Sequence, residues 1–256
     1  MIDLHSHLLP NIDDGARSAE QSADVLRVLA SHGVEHVVLT PHARATEIAR
    51  DPFDPLERRE SALETLDRHG LSDTPTLHTG FEIMLDATLP DIVFRDRRYT
   101  LAGSRYVLVE FPLMILAEFA ARMLAEIVRG GLVPLVAHPE RYQACSPVTV
   151  TAWRAAGART QVDATALTRS TTRGHRARQL LSAGLADVIA ADNHGDARSL
   201  RTGVEYLEKR DGAMQVRLLT RDNPHAVIDD SDMRAVPPLA LKERWRDRLR
   251  RFSQGR

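Results

Sequence analysis

Residues 1–15 have the sequence MIDLHSHLLPNIDDG, and the rest of the chain is organised around them. The apolar run Met1 to Leu4 predicts a strand that ends in His5 and His7, and a turn ending in Asp-Asp-Gly follows. Because side chains two residues apart on a strand face the same side, the two imidazoles can converge on one point. Imidazoles with nearby carboxylates are ligands for Zn, Mn or Fe. The His-x-His pair alone is a weak signal, so a metal site is predicted only if the pattern recurs.

The composition is that of an ordinary globular protein, with 43% hydrophobic and 27% charged residues among 256. A net charge of −1 gives no indication of nucleic-acid or membrane binding. The single cysteine, Cys145, excludes an intrachain disulfide and favours a reducing cytoplasm. No basic segment precedes the first apolar run, and no run approaches the roughly 20 residues of a membrane span. We therefore expect a cytoplasmic protein without a signal peptide.

Apolar strands alternate with amphipathic helices along the chain. Strands are predicted at 1–4, 34–40, 76–83, 106–111, 132–137, 160–163 and 187–191, and helices at 18–33, 54–70, 89–94, 116–129, 148–156, 174–183, 198–209 and 214–220. The first helix begins with a capping box, Ser18 and Gln21, and no element is predicted in the polar stretch from His42 to Asp54-Pro55. This alternation indicates a parallel sheet, and about seven such units favour a closed or nearly closed β/α barrel. A doubly wound open sheet is the alternative.

Side chains that can bind metals follow successive strands. In a β/α barrel the carboxyl ends of the strands converge on one face, where active sites lie. A mixture of carboxylates and imidazoles without thiolate suits Mn²⁺, Fe²⁺, Zn²⁺ or Mg²⁺. Two such ions about 3.5–4 Å apart can activate a water molecule and polarise a phosphoryl oxygen. The strand-end residues are His5, His7, His42, Glu82, Glu110, His138, Asp192 and His194.

Two arginines accompany these strand ends. Arg141 lies three residues after His138, on the same loop, and Arg198 lies six residues after Asp192. A guanidinium group matches the geometry of a phosphate, although an exposed ion pair is the ordinary role of an arginine. Arg141 is the stronger candidate because it belongs to a ligand-bearing loop.

Other phosphatase and hydrolase mechanisms lack their motifs here. A cysteine-type tyrosine phosphatase needs Cys-x5-Arg, but Cys145 is followed six residues later by Thr151. The sequence contains neither the G-x-S-x-G elbow of α/β-hydrolases nor the G-x-x-x-x-G-K-[ST] loop of P-loop NTPases.

The segments HSHLLPNIDDGARS, TPH, FEI, VEF, AHPERY and ADNH, in this order and spacing, resemble the polymerase and histidinol phosphatase (PHP) superfamily. Within it they resemble the bacterial metal-dependent protein-tyrosine phosphatases of capsule and exopolysaccharide operons, from Met1 to about Ile228. The resemblance implies a distorted (β/α)7 TIM-like barrel and three divalent ions, often Mn²⁺. Arg141 and Arg198 match the family's phosphate-binding positions. The matching metal ligands are His5, His7, Asp14, His42, Glu82, Glu110, His138, Asp192 and His194. Asp163 is a departure, because a family member is expected to have asparagine there.

The function implied by the resemblance is hydrolysis of phosphotyrosine on a protein. The implied substrate is a membrane-associated tyrosine kinase of exopolysaccharide or capsule biosynthesis. A small-molecule phosphatase of the histidinol-phosphatase type remains an alternative, as does a non-catalytic, metal-stabilised binding module. A nuclease for single-stranded DNA is a weaker alternative.

The chain divides into a predicted phosphatase domain, residues 1–236, and an arginine-rich C-terminal tail, residues 237–256. The tail can be a solvated terminal helix. Alternatively, its cations can make a peripheral contact with an anionic membrane or with an acidic segment of a partner.

Overall fold

The computed structural model of the chain describes residues 1–240. Most of the predicted arginine-rich tail, residues 241–256, lies outside them, and so does the predicted membrane contact. Within the described range, no helix has the length and apolarity needed to cross a bilayer.

Nine short parallel strands occupy seven strand positions. They pair in the orders β1-β2-β4 and β3-β5-β6-β7-β8-β9. Because β2 and β3 follow each other directly in the chain, as do β4 and β5, each pair represents one interrupted strand. The strands are β1 Ile2–Ser6, β2 His36–Leu39, β3 His42–Arg44, β4 Thr76–Thr79, β5 Glu82–Met84, β6 Tyr106–Glu110, β7 Val133–Ala137, β8 Arg159–Asp163 and β9 Val188–Ala190.

The two edges of this arrangement meet between β1 and the segment after β9. A parallel bridge joins Ser6 to Asn193, and the backbone N–H of His7 donates to the carbonyl of Asn193 at 2.7 Å. The backbone N–H of Asp192 donates to the carbonyl of His5 at 3.1 Å. The predicted distorted, TIM-like α/β fold is confirmed. The first strand and the segment after the last strand meet beside His5 and His7.

Helices connect the strands close to the predicted positions. The polar stretch after Pro41, in which no element is predicted, contains β3 and α2. Neither element is long enough to show a hydrophobic period, and β3 is held by its pairing with β5. The helices are α1 Ala19–Ser31, α2 Ala45–Arg50, α3 Asp54–His69, α4 Asp91–Arg95, α5 Ala117–Arg129, α6 Pro147–Ala155, α7 Thr172–Ser182, α8 Leu200–Glu208, α9 Ala213–Arg217 and α10 Asn223–Ile228.

The start of α1 is capped on one side only. Ser18 accepts a hydrogen bond from the backbone N–H of Gln21, as predicted. The Gln21 side chain does not return to Ser18; its amide donates to the carbonyl of Gly195 at 2.7 Å. The second half of the predicted capping box is therefore wrong, and Gln21 instead ties α1 to the loop that follows β9.

A β-bulge in β1 separates its apolar residues from its histidines. Asp3 pairs with Val37 and Ser6 with Leu39, so β1 has one more residue than β2 over this interval. Adjacent residues of a regular strand point to opposite faces, and a bulge changes this alternation. Leu4 packs in an apolar cluster with residues such as Val38, whereas the next residue, His5, joins the polar group beyond that cluster.

Tyr142 fastens the ends of two strands beneath the candidate site. Its ring is fully buried, and its hydroxyl donates to the carbonyl of Ala137 at 2.8 Å. The same hydroxyl accepts a hydrogen bond from the backbone N–H of Phe111 at 3.1 Å. These two bonds hold the exits of β6 and β7 in register.

Tyr142→Phe is therefore expected to destabilise the fold, because it removes a buried hydrogen bond from each of two backbone groups. The expected loss is about 1–3 kcal/mol in the free energy of unfolding. Urea denaturation in the presence of EDTA measures it without a contribution from bound metal. Val148→Ala is the control, since the Val148 side chain is 81% exposed. Equal midpoints for Tyr142→Phe and the unmodified chain would contradict this role.

Candidate metal centre

The nine side chains predicted as metal ligands lie in one cluster. His42 and Glu82 begin the short strands β3 and β5, whereas Glu110 ends β6 and His138 follows β7. The ligand atoms of the nine side chains form four overlapping groups, and the atoms of each group lie within 4.8 Å of one another. The groups are His7–Asp14–His42–His194, His5–Glu82–His138, His5–His7–Asp192 and His42–Glu82–Glu110.

The carboxylate of Glu82 lies at the middle of the cluster and is completely buried. Its Oε1 is 2.8 Å from Nε2 of His138. Its Oε2 is 3.2 Å from Nε2 of His5, 3.3 Å from Nε2 of His7 and 3.1 Å from Nδ1 of His42. Nevertheless Oε2 has no hydrogen-bond partner in the described part of the chain. A buried, unpaired carboxylate oxygen facing three imidazole nitrogens fits a bound cation.

Asp192 provides a second buried oxygen of this kind. Its Oδ1 is unpaired within residues 1–240, although it lies 3.3 Å from Nε2 of His5 and 3.6 Å from Nε2 of His7. Nδ1 of His194 is also 3.6 Å away. Oδ1 of Asp192 therefore faces imidazole nitrogens, as Oε2 of Glu82 does.

The two leading histidines are held in the orientation that metal binding requires. Nδ1 of His5 is 2.8 Å from Oε1 of Gln161, and Nδ1 of His7 is 2.8 Å from Oδ2 of Asp13. These acceptors assign the proton of each neutral ring to Nδ1 and leave the Nε2 lone pair free, as in metal-ligating histidines. The two Nε2 atoms lie 3.1 Å apart, as the spacing of the pair predicts. Two lone pairs directed at each other fit a shared cation.

Asp13 and Asp14 have different positions despite their adjacency. Asp14 lies at the exposed rim, where its Oδ1 is 3.5 Å from Nε2 of His42 and 3.4 Å from Nε2 of His194. Asp13 is turned inward and also accepts from the backbone N–H of His42 at 3.1 Å. Sequence reasoning missed the orienting roles of Asp13 and Gln161, although Asp13 lies in the Asp-Asp-Gly turn.

Gly15 allows this turn to close over β1. A Cβ atom at Gly15 would lie 2.0 Å from the carbonyl oxygen of His7, a distance that no side chain tolerates. The backbone N–H of Gly15 also donates to Oδ1 of Asp13 at 2.9 Å. The turn can therefore place its carboxylates beside the histidines only with glycine at this position.

Two residues of the cluster have strained backbones. His138 has φ 32° and Asp192 has φ 51°, in the left-handed region that non-glycine residues rarely adopt. Such conformations cost on the order of 1–3 kcal/mol each and concentrate at functional sites. His138 comes directly after β7 and Asp192 two residues after the end of β9, and these strained turns place both side chains in the cluster.

The two predicted phosphate-binding arginines both reach one carboxylate of the cluster. The Arg141 guanidinium contacts Asp192, and its Nε is buried without a hydrogen-bond partner in the described chain. Nη1 of Arg198 is 3.6 Å from the same carboxylate, while its Nε donates to Asp196. The Asn193 side chain donates to the carbonyl of Arg198 and so shapes this loop.

Asp163, the residue that departs from the family pattern, does not join the metal groups. Its Oδ1 accepts from the backbone N–H and the hydroxyl of Thr165, both at 2.7 Å, and its Oδ2 contacts Arg173. Its backbone N–H donates to the fully buried Glu140 at 2.9 Å. Burial, with Asp163 nearby, raises the pKa of Glu140 to about 8. Asp163 therefore organises the turn after β8.

The pKa values show how the cluster balances its charge in the absence of metal. Burial lowers the pKa of His5, but Glu82 and other carboxylates outweigh this effect and raise it to about 9. Against the same burial effect, Glu110 and Glu82 raise the pKa of His42 to about 11. Burial opposes ionisation of Glu82, but His5 and His138 hold its pKa well below the usual range. A cation that binds here must displace protons from imidazoles, so its affinity rises with pH.

Similar proteins span the whole chain. Tyrosine-protein phosphatase CpsB of Streptococcus pneumoniae is 29% identical over 246 residues, which cover 90% of this chain and 99% of that protein. Tyrosine-protein phosphatase YwqE of Bacillus subtilis (strain 168) is 26% identical over 253 residues, covering 95% and 98%.

Solved structures show the same fold. Crystal structures of YwqE from Bacillus subtilis and CpsB from Streptococcus pneumoniae, described as unique metal-dependent tyrosine phosphatases, match with a TM-score of 0.77 at 22% identity. The match covers 95% of this chain and 100% of the solved one. A mutant organophosphorus hydrolase from Deinococcus radiodurans, 12% identical, matches with a TM-score of 0.54 over 89% of this chain and 92% of its own.

The predicted family resemblance is confirmed by a sequence profile. The profile described as capsular polysaccharide synthesis, CpsB/CapC, matches residues 1–229. This range includes every strand and the whole cluster of imidazoles and carboxylates. The chain therefore belongs to the CpsB/CapC family of capsular polysaccharide synthesis.

Proposed function

We propose that this chain is a cytoplasmic, metal-dependent phosphomonoester hydrolase that acts on phosphotyrosine in a protein of capsule or exopolysaccharide biosynthesis. The observation that carries the proposal is the continuous cluster of nine imidazole and carboxylate side chains, with two arginines at one of its carboxylates. The names of the relatives as tyrosine-protein phosphatases support it. The substrate protein in this proposal is a membrane-associated tyrosine kinase.

We assign the nine clustered side chains as ligands of three divalent ions and propose Mn²⁺, with Fe²⁺, Zn²⁺ or Mg²⁺ as alternatives. The ligand atoms form four groups that overlap, since His5, His7, His42 and Glu82 each belong to two of them. Overlapping groups of this kind can hold three neighbouring ions. The absence of thiolate among the ligand atoms favours hard to borderline ions. The ligands in this assignment are His5, His7, Asp14, His42, Glu82, Glu110, His138, Asp192 and His194.

In the proposed reaction, water displaces the tyrosyl oxygen from phosphorus, which releases tyrosine and inorganic phosphate. Bound divalent ions would supply Lewis acidity, which activates water and neutralises phosphoryl charge. Arg141 orients the phosphoryl group, since its guanidinium borders the cluster and its buried Nε is a donor without a partner. Arg198 adds a second cation on the same side. The leaving phenol has a pKa near 10, so its oxygen needs less protonation than an alkoxide would.

Removal of metal is expected to abolish this activity. After EDTA treatment and removal of the chelator, hydrolysis of a phosphotyrosyl peptide and of p-nitrophenyl phosphate should be lost, and Mn²⁺ should restore both. The melting temperature should also fall without metal, because a ligand that binds only the folded state stabilises it. Parallel titrations with Fe²⁺, Zn²⁺ and Mg²⁺ identify the most effective ion.

Substrate profiling separates the alternatives. Turnover of histidinol phosphate with no turnover of the phosphotyrosyl peptide would support a small-molecule phosphatase instead. Absence of any turnover by protein with stoichiometric bound metal would support a binding module. Full activity of protein shown to be free of metal would contradict the proposal.

Glu82→Gln is expected to reduce turnover at least about 100-fold, because the substitution removes the negative charge facing four histidines without changing the shape of the side chain. Metal content, measured by elemental analysis, should fall in parallel, while circular dichroism should remain that of a folded protein. Glu64→Gln is the matched control, since the Glu64 side chain is 74% exposed on α3. Unchanged turnover and metal content in Glu82→Gln would disprove its role as a ligand.

Arg141→Lys is expected to lower kcat/KM roughly 10–100-fold, because lysine keeps the charge but cannot make the forked contact with a phosphoryl group. Bound metal should be unchanged, which distinguishes this variant from a ligand substitution. Arg129→Lys serves as the control, since the Arg129 side chain is 70% exposed on α5. An Arg141→Lys enzyme as active as the Arg129→Lys enzyme would remove Arg141 from the phosphate site.

A further inference from the structure

A cleft with a volume of about 750 Å³ opens beside the metal cluster. Its lining includes two proposed ligands, His42 and Glu110, and three arginines, Arg44, Arg50 and Arg58, which come from β3, α2 and α3. Two further carboxylates of the lining are already paired, Asp13 with His7 and Glu47 with Arg58. A substrate whose phosphoryl group lies on the metal cluster can therefore extend into this cleft.

The three arginines differ in how far their charge is neutralised. Arg58 has two close partners, at 2.6 Å from Glu47 and 3.0 Å from Asp54. Arg50 is exposed and forms no ion pair within residues 1–240. Its charge is therefore available to a ligand.

Arg44 is held weakly. Its side chain is 67% exposed, and Nη1 lies 3.4 Å from Oδ2 of Asp86. The same Asp86 carboxylate accepts shorter bonds from the backbone N–H and hydroxyl of Thr46, at 3.0 and 2.7 Å. The Asp86 carboxylate therefore accepts its short hydrogen bonds from Thr46, and the Arg44 guanidinium retains N–H donors for another partner.

Apolar side chains line the same cleft as these cations. Ile12 and Met84 are half-buried, and Ala43 is buried. A flat aromatic or aliphatic group can pack on them. The cleft therefore combines proposed metal ligands, apolar surface and cations, which together suit a phosphorylated side chain with acidic neighbours.

We propose that this cleft is a specificity subsite that binds the polypeptide next to the phosphotyrosine, and that Arg44 and Arg50 select acidic side chains there. The inference rests on the proposed phosphatase function and names its substrate class. The segment 42–50 contributes only His42 to the metal cluster, so Arg44 and Arg50 have no part in the proposed chemistry.

The test compares three phosphotyrosyl peptides that differ only in having Glu, Gln or Lys on both sides of the phosphotyrosine. The Mn²⁺-loaded enzyme is expected to favour the Glu peptide over the Gln peptide about three- to tenfold in kcat/KM, the size expected for two exposed ion pairs. High salt should reduce the preference, because it screens exposed charges. Fluorescence anisotropy with non-hydrolysable phosphonate versions of the peptides should give the same order of Kd.

The variants Arg44→Gln, Arg50→Gln and the double variant Arg44→Glu/Arg50→Glu locate the effect. The Gln variants should each lose part of the preference, and the double Glu variant should favour the Lys peptide. Turnover of p-nitrophenyl phosphate should not change, since this small substrate does not reach the arginines. Arg129→Glu is the control on a surface outside the cleft.

Equal kcat/KM and equal Kd for the Glu and Gln peptides in the unmodified enzyme would overturn the subsite, while phosphotyrosine turnover itself would leave the phosphatase function standing. An acidic preference that survives in the double variant would also overturn it. If no peptide is hydrolysed but the phosphonate peptides still bind in the order Glu, Gln, Lys, the phosphatase function fails and the acidic subsite stands.

Discussion

The buried carboxylate of Glu82 is the interaction on which the rest of the structure depends. A carboxylate withdrawn from water is strongly unfavourable unless charges or hydrogen bonds replace its hydration. Here the replacement comes from four imidazoles, which belong to β1, the residue directly after β1, the first residue of β3 and the residue after β7. These segments must all bring a side chain to one point, which the parallel order of the strands makes available. The bulge in β1 and the left-handed backbone of His138 are local distortions that bring the imidazoles to it.

Much of this arrangement is predictable from local sequence because it depends on where strands end. The spacing of His5 and His7 predicts that their rings converge, and their Nε2 atoms are 3.1 Å apart. His42 is separated from an apolar run only by Thr40 and Pro41, so its position beyond that strand is predictable even though the short strand β3, which it begins, is not. Parallel topology then brings strand ends together without further information from the sequence.

The residues that orient the ligands are not predictable in the same way. Gln161 meets His5 across 156 positions of the sequence, and no local pattern marks it. Asp13 and Asp14 are adjacent and chemically identical, and only the folded turn directs Asp13 inward and leaves Asp14 at the rim. Asp163 differs from the family pattern, yet its effect depends on its pairing with Arg173 and the turn after β8. In each case the deciding contact is tertiary.

The different roles of the arginines follow from their positions relative to the metal cluster. Arg141 and Arg198 reach Asp192, so their charges lie at the cluster itself, where the proposed reaction takes place. Arg44 and Arg50 stand on a three-residue strand and a six-residue helix, from which the cluster takes only His42. The side chains after His42 can therefore vary with little effect on the cluster. A fold that fixes its chemistry at the ends of strands leaves the following short elements free to determine which polypeptide enters, and in this chain those elements place Arg44 and Arg50 in the cleft.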